Sequence, residues 1–170
     1  MLVNMNDNGD EMFPEVDEMG NIIGSMARRE AHNGSKRLHP VVHLHVFNSH
    51  GCLFLQKRPD WKDIQPGKWD TAVGGHVSLG ENVDKALLRE AKEELNLYDF
   101  SPIAIGTYVF ESDRERELIY AYKTVYDKDI LPDINELDGG RSWTMEEIKG
   151  NIGKGVFTPN FESEFKRFFL

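Results

Sequence analysis

Short β-branched and aromatic runs separated by turn-forming residues dominate the chain, with one long helical stretch among them. Met12-Phe13-Pro14-Glu15-Val16 and Asn21-Ile22-Ile23-Gly24-Ser25-Met26 flank Asp17-Glu18-Met19-Gly20, whose Asp and Gly suit a tight turn, so an N-terminal β-hairpin is expected. Residues 1–11 before it read as a flexible lead. Ala27–Leu38 is polar and has room for one short helix, after which Val41–Phe47 predicts a strand, Asn48–Gly51 its turn and Leu53–Gln56 the return. Pro59 and Pro66-Gly67 punctuate a loop, and Trp69–Val73 predicts a short strand that Gly74-Gly75 should break. From Asn82 to Leu95 the chain holds good helix formers without Gly or Pro, with Leu87, Leu88, Ala91 and Leu95 on one side. Pro102–Phe110 and Glu117–Tyr126 read as long strands, Arg141–Trp143 as a further short one, and Thr144 and Thr158-Pro159 as helix starts.

Composition sharpens this picture in three ways. A chain of 170 residues with 39% hydrophobic content can bury one sizeable core, so residues 1–170 are expected to form a single domain. A formal charge of −9 argues against a nucleic-acid polymer as partner, because neutralising its backbone needs clustered Lys and Arg. It does not argue against a small anionic substrate, since divalent cations held by carboxylates reverse the field locally. Cys52 is the only cysteine, the first residues lack the basic start and apolar run of a signal peptide, and no apolar stretch is long enough to span a bilayer. These features point to no membrane association and to the cytoplasm.

The chemistry is concentrated in Arg89-Glu90-Ala91-Lys92-Glu93-Glu94. Offsets of three and four residues put Glu90, Glu93 and Glu94 on one helix face, beside the apolar face. Like charges there repel by a few tenths of a kcal/mol per pair, roughly, unless a hard divalent cation converts repulsion into coordination. A solvated acidic face is the plain alternative, and Glu93-Glu94 taken by itself favours it. The flanking spacing decides otherwise. Gly75 is followed after five residues by Glu81, after seven more by Arg89-Glu90, and after two more by Glu93-Glu94.

This segment, Gly75 to Leu97, resembles the Nudix box. Gly75, Glu81, Arg89, Glu90, Glu93, Glu94 and aliphatic Leu97 all match, with Ala91 a small version of an aliphatic position. Asn96 replaces the final Gly, and Asn is the next-best residue for a left-handed helix cap. The resemblance implies a loop-helix-loop holding Mg²⁺ or Mn²⁺ through Glu93, Glu94 and the Gly74 carbonyl. Glu90 would be a further ligand or the base for water, Arg89 would hold the glutamates by ion pairing, and Glu81 would brace the loop.

Outside the box, Asp17–Asn21, Leu38-His39, Leu55–Arg58, Pro66–Asp70 and Gly74-Gly75-His76 are similar to the isopentenyl diphosphate isomerase branch of the superfamily. That resemblance implies a second metal site, for Zn²⁺, Mn²⁺ or Mg²⁺, built from His32, His39, His76, Glu115 and Glu117. The same residues could equally cap, pack or sit in solvated loops. The branch's catalytic cysteine falls at Gly74, and Cys52, just past a hairpin turn, has packing as its expected role. Candidate substrate contacts are Lys57, Arg58 and Trp69, against a solvated strand end for the first two and a core position for Trp69 and Tyr108. Phe157, Phe161, Phe165, Phe168 and Phe169 read as a packed C-terminal helix or a homodimer surface.

The expectation is therefore an α+β chain, a Nudix α/β/α sandwich with a mixed β-sheet and an added N-terminal β-hairpin. The expected activity is metal-dependent hydrolysis of a small-molecule diphosphate. Isomerase-type activity and a catalytically weak nucleotide-sensing domain are the alternatives.

Overall fold

The computed structural model describes residues 9–62, 64–133 and 137–170. Strands β1 (Met12–Val16) and β2 (Ile22–Ala27) form the expected hairpin as a separate two-stranded sheet. Its turn is built as its residues suggest: Asp17 Oδ1 accepts from the backbone N–H groups of Met19 and Asn21, and Gly20 takes φ +86°. A one-turn helix α1 (Arg28–Ala31) follows. Of the expected flexible lead, residues 1–8 lie outside the described residues. Glu11 is tied down, its backbone carbonyl accepting from Arg28 and its carboxylate pairing with the same residue at 3.2 Å.

The second sheet contains β3 (Leu38–Phe47), β4 (Leu53–Lys57), β5 (Trp69–Thr71), β6 (Val73–His76), β7 (Ile103–Glu111), β8 (Arg116–Val125) and β9 (Gly140–Trp143). Its main path runs β5-β4-β3-β8-β7, with β6 added to β3 and β9 to β4. Only the β3–β8 pairing among these is parallel, which makes the sheet mixed. Three helices complete the chain: α2 (Val83–Leu95), α3 (Met145–Asn151) and α4 (Pro159–Phe169).

Period-two alternation along β3 explains the layers. Val42, Leu44 and Val46 face α2 and pack with Ala86, Leu87, Ala91 and Leu95. The intervening positions face α4, where His45 and Phe47 meet Phe169 edge to face. Phe157, Phe161 and Phe165 are buried with Leu53, Leu55 and Trp143 on that side. The C-terminal aromatic series thus closes the chain's own second layer. The result is an α/β/α sandwich of the α+β class.

Two local expectations are corrected. Gly74 and Gly75 do not end a strand; they lie inside β6, paired with His43 and Val42, and the interruption falls at Ala72. Glycine is poor in strands because it packs nothing, but here both faces of the strand are occupied closely by other groups, which supply the packing. Leu88 is 51% exposed, because it follows Leu87 by one residue and is rotated by about 100° off the apolar stripe. Strand β3 also begins earlier than the apolar run suggests, taking in His39 and Pro40 through the register His39↔Glu117 and Pro40↔Leu118.

Candidate active site

Helix α2 is fixed at both ends by its own sequence. Asn82 caps the start by accepting from the Lys85 N–H, and Asn96 ends it in the left-handed region at φ 52°, ψ 37°. Asparagine therefore does what the missing glycine would, and Leu97 N–H returns to the Ala91 carbonyl beyond it. Between the caps, Arg89 organises the carboxylates. Its guanidinium donates to Glu81 at 2.8 and 2.9 Å, to Glu90 at 2.7 Å, to Glu93 at 3.3 Å and to the His76 carbonyl at 3.0 Å. The Glu81 hydrogen bond, with the charges around it, raises the guanidinium pKa; the reciprocal bond from Arg89 lowers that of Glu81.

The glutamates reach the sheet at the two glycines. Glu94 Oε2 accepts from the Gly74 N–H at 3.0 Å. The Glu90 carboxyl occupies the space a Cβ on Gly75 would need, so only glycine lets it lie against the strand. Gly74 faces the other way: a Cβ there would meet the His43 ring at 3.5 Å, an ordinary contact. Glu93 is half exposed and shares Arg89 Nη1 with Glu90.

A second cluster lies on the far face of β6. His32, His39, His76 and Glu115 each present one ligand atom, all within 4.8 Å of one another. His39 is fully buried, and its Nδ1 lies 3.1 Å from the Arg37 carbonyl. Only an Nδ1–H can make that bond, so in the neutral ring Nε2 is left as a lone pair; it lies 3.7 Å from Glu115 Oε2 and has no hydrogen-bond partner among the described residues. His32 Nε2 lies 3.2 Å from His76 Nε2 and 3.1 Å from Glu115 Oε2. Burial, then the neighbouring imidazoles, push His76 well below the ordinary histidine range; burial also lowers His39. Burial by itself would raise Glu115, but His32 beside it and the charge of His39 bring it below the usual carboxylate value. Glu117, expected as the fifth member, lies outside this group. It sits opposite His39 in the β3–β8 register, is buried, and is pushed up to about 8 by burial first and by the Glu115 charge second.

A third cluster was not anticipated. Glu164 of α4 is fully buried and receives His43 Nδ1 at 3.0 Å, Tyr108 Oη at 2.5 Å, and His45 Nε2. Burial opposes its charge, yet His43 and His45 hold it well below the usual carboxylate range. His43 is pushed up to about 9, burial opposing and the Glu164 charge prevailing. The i, i+2 spacing of His43 and His45 on a strand was the available signal, since it places both on one face. Their partner stands 121 and 119 residues away, beyond any local pattern.

Two cavities open here. The smaller, about 120 Å³, is lined by His43, Gln56, Lys62, Gly74 and Glu94 among others. The larger, about 520 Å³, runs along His32, His76, Phe110, Arg114, Glu115 and Glu117. Arg58, Asp70 and Asn160 line both, so the two are neighbouring parts of one cleft. Of the three expected substrate contacts, Arg58 is on this wall. Lys57 and Trp69 are paired across β4 and β5 and lie elsewhere: Lys57 reaches Asp138 at 3.4 Å, and Trp69 packs on Trp143. Alternation is the cause, because Gln56 and Asp70, one residue along each strand, take the cleft side. Cys52 lines neither cavity and donates its backbone N–H to Asn48.

The NUDIX domain family model matches residues 37–161, and the chain belongs to that family. It is 28% identical over 160 residues to an uncharacterised Nudix hydrolase of Streptomyces coelicolor, covering 93% of this chain and 88% of the relative. It is 29% identical over 160 residues to isopentenyl-diphosphate Delta-isomerase 2 of Photorhabdus laumondii, covering 90% and 89% of the two chains, in keeping with the isomerase-like branch. The crystal structure of DR0079 from Deinococcus radiodurans superposes with a TM-score of 0.81 at 25% identity, over 94% of this chain and all of that one. The sandwich is therefore the Nudix fold, and the chain is a member of a hydrolase family that generally uses divalent metals.

Proposed function

We propose that the protein is a divalent-metal-dependent hydrolase that cleaves the diphosphate linkage of a nucleoside diphosphate derivative or another organic diphosphate. The observation that carries this reading is the docking of Glu90 and Glu94 on the Gly74-Gly75 backbone, at the wall of a cleft that also presents Arg58 and Lys62. Glu90 and Glu93, gathered by one guanidinium, together with Glu94 at the Gly74 backbone form an all-oxygen donor set suited to Mg²⁺ or Mn²⁺. Glu93, Glu94 and the Gly74 carbonyl would hold it, with Glu90 adjoining. When bound, such an ion neutralises diphosphate charge and makes water more acidic. Lone pairs of His39, His32 and His76 converging with Glu115 fit a second cation, Zn²⁺, Mn²⁺ or Mg²⁺, and the unpartnered buried Nε2 of His39 is the observation behind that fit.

The chain's own groups then divide the remaining work. Arg58 and Lys62 attract the diphosphate and offset its charge. Arg89 keeps the glutamates from splaying apart, and Glu81 holds Arg89. Glu90 takes the proton of the attacking water, with Glu117 and Glu115 behind it as candidates. Phe110 and Pro159 give the larger cavity the apolar wall against which an organic group packs.

The test is a broad diphosphate panel with Mg²⁺ or Mn²⁺, read by release of phosphate or monophosphate. Turnover that falls at least about a hundredfold in Glu94→Gln, with the folded state intact, is the expected result. A panel with no turnover at all overturns the reading. One observation favours a second reading: the His32, His39, His76 and Glu115 cluster brings together four of the five positions that the isomerase-branch resemblance implies. Interconversion of isopentenyl and dimethylallyl diphosphates by the wild type would establish it despite the absence of a thiol at Gly74. Tight nucleotide binding without turnover, unchanged in Glu93→Gln and Glu94→Gln, would instead favour a sensor.

A further inference from the structure

His43 takes no part in the division of labour above, yet it belongs to a buried network of side chains. Three donors, His43 and His45 of β3 and Tyr108 of β7, and the carboxylate of α4 that receives them form one buried unit. A core histidine needs only one partner for each nitrogen that is buried. This unit goes further, because Glu164 is itself immobilised by His45 and Tyr108 and therefore fixes the ring plane of His43. With Nδ1 held by Glu164, Nε2 is the polar atom that remains. The Cδ2–Nε2 edge lies beside Gly74, 3.5 and 3.7 Å from where a Cβ would stand, and His43 lines the smaller cavity together with Gly74 and Glu94. A larger residue than glycine at 74 would come between that edge and the cavity.

Resting on the diphosphate-hydrolase reading, we propose that His43 is a substrate-contacting residue, its Nε2–H donating to a phosphoryl oxygen of the diphosphate in the cavity beside Gly74 and Glu94. Glu164 is then a positioning residue, and Tyr108 and His45 secure Glu164. The arrangement suits this task for two reasons. The carboxylates Asp70 and Glu94 share the cavity wall, so an anionic substrate needs donors placed among them; and an imidazolium paired behind with a buried carboxylate keeps its donor pointed forward without reorganisation.

The experiment uses methylenediphosphonate, a non-cleavable diphosphate, with Mg²⁺ and the full chain. His43→Asn retains an N–H for Glu164 and deletes the forward nitrogen. It is expected to bind the diphosphonate about 10- to 100-fold more weakly, the range of one charge-assisted hydrogen bond, and to lower kcat/KM on a cleaved substrate similarly. Glu164→Gln, which lets the ring turn, is expected to lower kcat more than it raises KM. In wild-type protein labelled with ¹⁵N-histidine, the His43 Nε2 resonance is expected to shift on adding the diphosphonate, a readout that does not depend on any variant folding. Unchanged affinity and kcat/KM in His43→Asn, or an unmoved His43 Nε2 resonance at saturation, overturns the proposal while leaving the hydrolase reading in place. A wild type that neither binds the diphosphonate nor cleaves the panel overturns both.

Discussion

Two histidine and glutamate clusters on the same side of the sheet follow opposite rules. Around Glu164, donors converge on one carboxylate: His43, His45 and Tyr108 each bring a hydrogen, and the acceptor is fully buried. Around Glu115, acceptors converge on one another: His39 has committed its hydrogen to the Arg37 carbonyl, and two Nε2 atoms, of His32 and His76, meet at 3.2 Å. The first set is complete around its carboxylate, while Nδ1 of His45 has no hydrogen-bond partner among the described residues. The second gathers ligand atoms of His32, His39, His76 and Glu115 within 4.8 Å of one another, with Nε2 of His39 unpartnered among the described residues, and that crowding suits a cation or shared protons. Residue type does not separate a structural polar core from a candidate metal centre; the arrangement of donors and acceptors around each carboxylate does.

Removing the acceptor from the complete cluster should have the largest effect. Glu164→Ala leaves buried donors without a partner and is expected to cost about 3–5 kcal/mol in denaturant unfolding, with no rescue by divalent metal. Equal stability of variant and wild type would erase the distinction. The same carboxylate carries a pH signature. Its folded pKa is depressed, so its contribution is fully present above the ordinary value of 4.5 and is lost as pH falls through the depressed value. The stability gap between wild type and Glu164→Gln should therefore narrow in acid below that ordinary value, and again as pH rises from 6.5 through about 9, where His43 gives up the proton that Glu164 holds on it.

The incomplete cluster should respond to metal instead. Zn²⁺ or Mn²⁺ at about a hundred times its dissociation constant is expected to raise unfolding free energy by about 2.7 kcal/mol, and a chelator to reverse it. Next in size, His76→Asn should weaken that metal by at least about tenfold, in calorimetric titration, while the metal-free protein unfolds near the wild-type midpoint. A variant that loses metal-free stability as severely as Glu164→Ala would show that both clusters are structural. The smallest effect expected is that of Tyr108→Phe, which removes one donor of several from Glu164 and should cost about 1 kcal/mol.

Local sequence patterns foretold much of this molecule and missed what depends on distant pairing. The hairpin, α2 with its Asn96 cap, the long strands and the glutamate face of α2 are set by neighbours a few residues apart, and each was legible. The His32, His39, His76 and Glu115 set was legible only through the family resemblance, since β6 and the turn before β8 bring its members together. Glu164 was invisible because it lies on an amphipathic helix where an acidic residue reads as solvent-facing. Lys57 and Trp69 were misdirected by one residue each: alternation gives the cleft to Gln56 and Asp70. The paired glycines read as a break because nothing in a sequence shows what crowds a backbone from outside.

Those glycines are unequal as sites of evolutionary change. At Gly75 any side chain collides with the Glu90 carboxyl, so its identity is locked to the glutamate helix. At Gly74 a Cβ finds only His43 at van der Waals distance, so a single substitution there can install a new functional group without disturbing α2. An insertion or deletion between them would instead exchange the faces of the strand and scramble both clusters. Position 74 is thus a place where a lineage can try a new side chain in a single mutational step, while the fit of Glu90 against Gly75, one residue away, is held constant.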